Sequence, residues 1–165
     1  MSKLIQGVIV GLGNRGEVYA DYSLQTTGEF KVIAVVDPNP FKLQYAQEKY
    51  HLTAAQVFAS VDDFLKAQIP ADIVINATMD QQHYETALPL LKAKYNLLIE
   101  KPIVPNNEQL EALHQVAKEN NCLVFVCHVL RYTMFYRTIK QWLLEKKIGD
   151  IELRSGDTLL MQVRR

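Results

Sequence analysis

Six short apolar runs alternating with amphipathic stretches, a glycine-rich turn closing the first run, and an acid at the tip of the second predict an α/β fold. The expected form is a doubly wound, mostly parallel sheet of Rossmann type with helices on both faces. The expected strands are Leu4 to Val10, Phe30 to Val36, Gln56 to Phe58, Ile73 to Asn76, Asn96 to Ile99 and Leu123 to Cys127. Their Val, Ile and Leu content suits strands covered on both faces.

Helices are expected at Asn14 to Gln25, Pro40 to Tyr50, Val61 to Lys66, Gln81 to Lys92, Asn107 to Asn120 and Met134 to Glu145. Ser60 followed by Asp63 reads as a capping box with a short acid, and Asp80 is placed to cap the helix after it. In the helix from Asn107, the residues Leu110, Leu113, Val116 and Ala117 share one face. Pro89 inside a helical stretch predicts a kink or an early end, because proline lacks the amide hydrogen and clashes with the preceding turn.

The composition of the 165 residues bounds what the chain does. Lys plus Arg equals Asp plus Glu at 18 each. No net field gathers nucleic acid or anionic lipid, so neither is an expected partner. The apolar runs are strand-sized, far below the roughly 18 residues of a membrane span. With no cleavable leader pattern at the N-terminus, the expected location is the cytoplasm. Cys122 and Cys127 flank a run that reads as a buried strand, in no Cys/His cluster, so they are expected to be small buried hydrophobes and no metal is expected.

Chemistry begins at Gly11-Leu12-Gly13-Asn14-Arg15-Gly16, a G-x-G-x-x-G between a strand and a helix. Gly11 permits the tight turn, Gly13 lets a pyrophosphate approach the backbone, and Gly16 lets helix and strand pack closely. Unpaired amides at the helix start then hold the phosphates. Glycines also serve ordinary turns, and it is the strand and helix on either side that favour a nucleotide.

Asp37 ends the second strand about 20 residues further on, where a carboxylate accepts hydrogen bonds from an adenosine ribose. It disfavours a 2′-phosphate, so NAD is expected over NADP, while Arg15 keeps NADP possible. The plain alternative is a turn former before Pro38.

Glu100-Lys101-Pro102 follows the fifth strand on the side where open α/β sheets bind ligands. Lys101 there could stabilise a reacting oxygen as hydride leaves its carbon. An exposed strand end with a surface ion pair is equally compatible with the local sequence.

These pieces together resemble the Gfo/Idh/MocA family of oxidoreductases. The ordered set is Gly-Leu-Gly-Asn-Arg-Gly at 11 to 16, Val-Val-Asp-Pro at 35 to 38, Asn-Ala-Thr at 76 to 78, His83, Glu-Lys-Pro at 100 to 102, and Arg131-Tyr132. The resemblance covers about residues 4 to 153 and implies hydride transfer between NAD(P) and a sugar, cyclitol or related alcohol. It also implies a cofactor domain, set here at 1–128, with 129–165 opening a second α/β domain. Lys101 resembles the lysine beside substrate and nicotinamide, Thr78 and His83 resemble positions lining the cofactor, and Glu100 belongs to the same pocket.

Two departures stand out. Thr78-Met79-Asp80-Gln81-Gln82-His83 replaces the usual Thr-Pro-Asn opening. After Leu153 the tail does not resemble the family's continuation, and a truncated chain or a shifted reading frame is the expected reason.

His128 and Arg131 after the sixth strand are candidates for the substrate region. His128 titrates near neutrality and could act as a base, although a buried, satisfied histidine is the commoner case. Tyr132, Phe135, Tyr136, Ile139 and Leu143 form a helical stripe that reads as core rather than a base-stacking platform. If a missing domain leaves such residues bare, homo-oligomerisation follows. A non-catalytic dinucleotide module is the alternative function, and an adenosylmethionine-dependent methyltransferase shares the glycine turn and ribose acid.

Overall fold

In the computed structural model, residues 3–26 and 28–149 are described, together with the backbone of two short strands at 151–152 and 162–163. The chain forms two compact units, Met1–Cys127 and His128–Arg165. The stretch 153–161, in the tail expected to depart from the family's continuation, lies outside the described residues.

The first unit carries six strands: β1 (Ile5–Val10), β2 (Phe30–Val36), β3 (Val57–Phe58), β4 (Ile73–Asn76), β5 (Leu97–Ile99) and β6 (Val124–Val126). All pair in parallel in the order β3-β2-β1-β4-β5-β6. Between them run α1 (Asn14–Gln25), α2 (Pro40–Tyr50), α3 (Val61–Ala67), α4 (His83–Lys92) and α5 (Asn107–Glu119). This is the expected doubly wound α/β architecture, and the strand order reverses between β1 and β4, where such sheets open a binding crevice.

Side chains alternate across β1, and the two faces build two cores. Val8 and Val10 pack with Val74, Phe64, Leu90 and Leu113 under α3, α4 and α5. Ile9 packs with Leu12, Ala20, Val35 and Ala46 under α1 and α2. A second link between α1 and α2 is polar: Lys49 Nζ lies 2.7 Å from Glu17 and 2.8 Å from Asp21, while the Tyr50 hydroxyl donates to Asp21 at 2.8 Å.

Several local expectations change. Asp80 does not cap a helix, because residues Asp80–Gln82 form a 3-10 turn and α4 starts only at His83 without a side-chain cap. That helix continues through Pro89 to Lys92 rather than ending early. Ser60 caps α3 as expected, accepting from the Asp63 amide at 3.1 Å and donating to its carboxylate at 2.7 Å. On α5, Leu113 and Ala117 are buried but Leu110 is exposed. β6 is not covered on both faces, since it is an edge strand with Val124 38% and Phe125 51% exposed.

The second unit holds a 3-10 turn (Val129–Tyr132), α6 (Met134–Leu144) and an antiparallel pair, β7 (Ile151–Glu152) with β8 (Gln162–Val163). The aromatic stripe does not form a core among the described residues, because α6 buries none of its side chains. Phe135 and Tyr136 instead meet edge to face with ring centres 5.2 Å apart.

Candidate nucleotide site

The glycine turn has three separate geometries. Gly11 has φ +87°, and a Cβ there would lie 2.9 Å from the backbone of Ala77 and Thr78. Left-handed backbone and a close neighbour both require glycine. At Gly16 a Cβ would lie 2.0 Å from the Gly11 carbonyl oxygen, so only glycine lets α1 begin here. Gly13 differs: nothing lies within 4 Å of its Cβ position. It precedes the first turn of α1, whose amides have no side-chain cap. An open cradle beside uncapped helix amides fits a diphosphate, which accepts from those donors and adds charge at the positive helix end.

Asp37 stands next to this turn and is only 3% exposed. Its Oδ2 accepts from the Leu12 amide at 2.8 Å, and its Oδ1 accepts from the Asn39 amide at 2.9 Å. Lys42 Nζ lies 3.5 Å from Oδ2. The acid therefore ties the tip of β2 to the glycine turn, and it also serves as the turn former before Pro38. Leu12 contributes its amide to this bond and its side chain to the core.

A cavity of about 590 Å³ opens beyond these strand ends, lined by Gly11, Gly13, Asp37, Lys42, Ser60, Thr78 and Glu85 among others. Polar groups converge on it, as a ligand site requires. A groove of about 540 Å³ beside α5 lies apart from the glycine turn and has mostly apolar walls, including Leu97, Leu110 and Val124.

Thr78 lines the cavity with its hydroxyl donating to Asn76 Oδ1 at 2.8 Å. Asn76 is fully buried and reaches Thr86 Oγ1 at 2.8 Å, so it fixes the loop after β4 to α4. His83 is 0% exposed, with Nδ1 2.7 Å from the Pro102 carbonyl and Nε2 3.1 Å from the Thr78 carbonyl. Both ring nitrogens face backbone oxygens, which leaves His83 no polar atom for a cofactor. It clasps the loops after β4 and β5 together instead.

Glu100 is also interior, 7% exposed. Its carboxylate accepts from Arg15 Nε at 2.7 Å, from the Tyr19 hydroxyl at 2.5 Å and from the Lys101 amide at 3.1 Å. The Tyr19 hydroxyl also touches Cys127 Sγ. Burial, with Cys127 and Glu100 beside it, pushes the Tyr19 hydroxyl well above its ordinary pKa, so it stays a donor. Glu100 thus holds the backbone from which Lys101 projects, and Lys101 itself is exposed. Arg15, expected among the cofactor-binding residues of the glycine turn as the one that keeps NADP possible, anchors through Nε to Glu100 while its side chain remains partly exposed.

Asn14 opens α1 at the same turn. His128 and Arg131 belong to the second unit, where the Arg131 amide donates to the His128 carbonyl at 3.0 Å across a 3-10 turn. Sequence reasoning missed Tyr19, Asn76 as a buried strut, and Lys42. Tyr19 carried no motif, and Lys42 sits in an ordinary helical turn.

The described residues contain no group of three or more His, Cys, Asp or Glu arranged to hold a metal, and no helix long and apolar enough to cross a membrane.

A parallel sheet reversing at a glycine turn, with an acid on the neighbouring strand, defines a dinucleotide-binding α/β domain. The profile of the GFO_IDH_MocA family, described as an oxidoreductase family with an NAD-binding Rossmann fold, matches residues 5–128. The chain belongs to this family.

It is 25% identical over 157 residues to an inositol 2-dehydrogenase of Corynebacterium glutamicum, covering 94% of this chain and 46% of that protein. It is 26% identical over 144 residues to the NADP(+) scyllo-inositol 2-dehydrogenase IolW of Bacillus subtilis, covering 87% of this chain and 38% of that protein. The scyllo-inositol dehydrogenase of Lactobacillus casei, solved with NAD(H) and scyllo-inositol, superposes with a TM-score of 0.81 at 28% identity, covering 92% of this chain and 44% of that one. The chain spans less than half the length of these relatives.

Proposed function

We propose that residues 1–128 bind a nicotinamide dinucleotide and serve an oxidoreductase that moves hydride between NAD(P) and a cyclitol, sugar or related alcohol. The observation that carries this reading is the open cradle at Gly13, beside uncapped amides of α1 and next to Asp37. The relatives' names support the alcohol class. In this reading residues 129–165 begin a second domain, the protein works in the cytoplasm, and it self-associates.

The residues divide the work. Gly13, Asn14 and the first turn of α1 receive the diphosphate, Asp37 faces the adenosine ribose, and Thr78 borders the same cavity. A nicotinamide dinucleotide held by these residues would supply the hydride acceptor for the carbinol carbon. Lys101 donates a hydrogen bond to the reacting oxygen and favours its deprotonated form, the hydroxyl proton passing to solvent water. Glu100 and His83 are positioning residues that fix the loop bearing Lys101. His128 and Arg131 are assigned to the substrate region.

Calorimetric titration of the chain with NADH, NADPH and adenosylmethionine in parallel tests the reading. Heat with a pyridine nucleotide and none with adenosylmethionine is expected, and Gly13→Val abolishes that heat while leaving the melting temperature in place, because the cradle is open space. Absence of heat with both pyridine nucleotides, or binding by Gly13→Val at parental affinity, overturns it.

A further inference from the structure

We propose that Lys42 is a specificity-determining residue that lets the adenosine end of this site accept a 2′-phosphate, so that the chain binds both NADPH and NADH. The inference rests on the dinucleotide reading above. An acid at the tip of β2 ordinarily repels a 2′-phosphate through its charge and competes for the same space. Here the acid is masked. Asp37 is 3% exposed, with Oδ2 engaged by the Leu12 amide and facing Lys42, and Oδ1 engaged by the Asn39 amide.

The cation beside it is not buried. The Lys42 side chain is 42% exposed and lines the cavity that holds Asp37 and Gly13. A ligand entering at the tip of β2 therefore meets the ammonium more readily than the carboxylate. The Lys42 contact to Asp37 is long, 3.5 Å. A phosphate oxygen at the usual charge-assisted distance of about 2.8 Å makes a stronger bond, and the flexible stem lets Lys42 turn to it without leaving the acid's neighbourhood.

Among the described residues lining this cavity, Lys42 is the only cation, set against Asp37, Asp62 and Glu85. The exposed acids Asp62 and Glu85 keep the site from preferring NADPH outright. Lys42 alone offsets them at the position of the 2′-phosphate, so acceptance of that group depends on one side chain.

Dissociation constants for NADH and NADPH, measured by calorimetry on the whole chain, give the ratio that tests the idea. The parent should bind both, within about tenfold of one another. Lys42→Ala should raise the NADPH-to-NADH ratio of dissociation constants about tenfold by removing the charge-assisted bond, and Lys42→Arg should restore it. Rising salt should weaken NADPH binding more steeply than NADH binding in the parent, and this excess slope should vanish in Lys42→Ala. A parent that takes NADH alone, or a ratio unmoved by Lys42→Ala, overturns this inference and leaves the dinucleotide reading standing. Failure of both nucleotides to bind overturns the two together.

Discussion

Arg15 Nε lies 2.7 Å from Glu100 Oε1, which joins the first turn of α1 to the tip of β5 across the reversal point of the sheet. Two elements distant in sequence, the glycine turn and the lysine-bearing loop, therefore share one anion. The same carboxylate accepts from Tyr19 and from the Lys101 amide.

Glu100→Ala removes the acceptor from all three donors. Unfolding in urea should show a loss of about 1–3 kcal/mol, the cost of stranding partly buried polar groups. NADH should bind more weakly as the glycine turn and the Lys101 loop separate. A stability change under about 0.5 kcal/mol, in the range of ordinary surface substitutions, would mean that the ion pair ties nothing together.

Gly16 and Gly13 should part company when mutated. Gly16→Ala drives a Cβ to 2.0 Å from the Gly11 carbonyl oxygen, a backbone atom that cannot move aside cheaply. A loss of about 3 kcal/mol or more, or insoluble expression, is expected. Gly13→Ala, where nothing lies within 4 Å, should melt with the parent. Equal melting of the two variants would contradict the packing at Gly16.

His83→Ala leaves the carbonyls of Pro102 and Thr78 without their interior partner and opens a cavity where a fully buried ring stood. Equilibrium unfolding should record a loss of at least about 2 kcal/mol. Unchanged stability would remove His83 from the positioning role.

Acid should weaken the contact between α1 and α2. The Lys49 ammonium, then the Tyr45 hydroxyl, hold the Glu17 carboxyl below its ordinary value. Burial works against the Asp21 anion, but Lys49 and Tyr50 outweigh it and lower its pKa as well. Lys49 is likewise partly desolvated, yet its bonds to Asp21, Glu17 and Tyr45 raise it. Depressed acids contribute stability that is complete above the ordinary carboxylate range and disappears as pH falls through their lowered values. The raised lysine contributes below its ordinary value near 10 and loses that contribution only at higher pH. Urea midpoints should stay level from about pH 6 to 9 and drop below about pH 4, less steeply in Lys49→Ala. An identical acid slope in parent and variant would refute the assignment.

The sequence disclosed most of the frame because it rests on local chemistry. A strand-to-helix turn with glycines at set spacing has one economical backbone, and an acid just past the next strand falls beside it, as Asp37 does. β2, β4, α1 and α2 keep their expected bounds. Errors gathered where tertiary setting decides. β6 reads as interior by composition, but its place at the sheet edge depends on strand order, which hydrophobicity does not encode. The segment from Asp80 has helical composition, yet its first turn tightens to 3-10, and neither form leaves a periodic mark over three residues. Glu100 and His83 were visible as residues of interest, but their partners, Arg15, Tyr19, Pro102 and Thr78, come from other elements. No spacing rule joins position 19 to position 100.

The bond from the Leu12 amide to Asp37 bears on the kinetics of capture. It braces the loop from within before any guest arrives, so the conformational entropy of shaping the receptor is settled during folding. Association should then proceed at a rate governed by diffusion and ionic strength, in a single phase, with no slower step in which the main chain closes around its visitor.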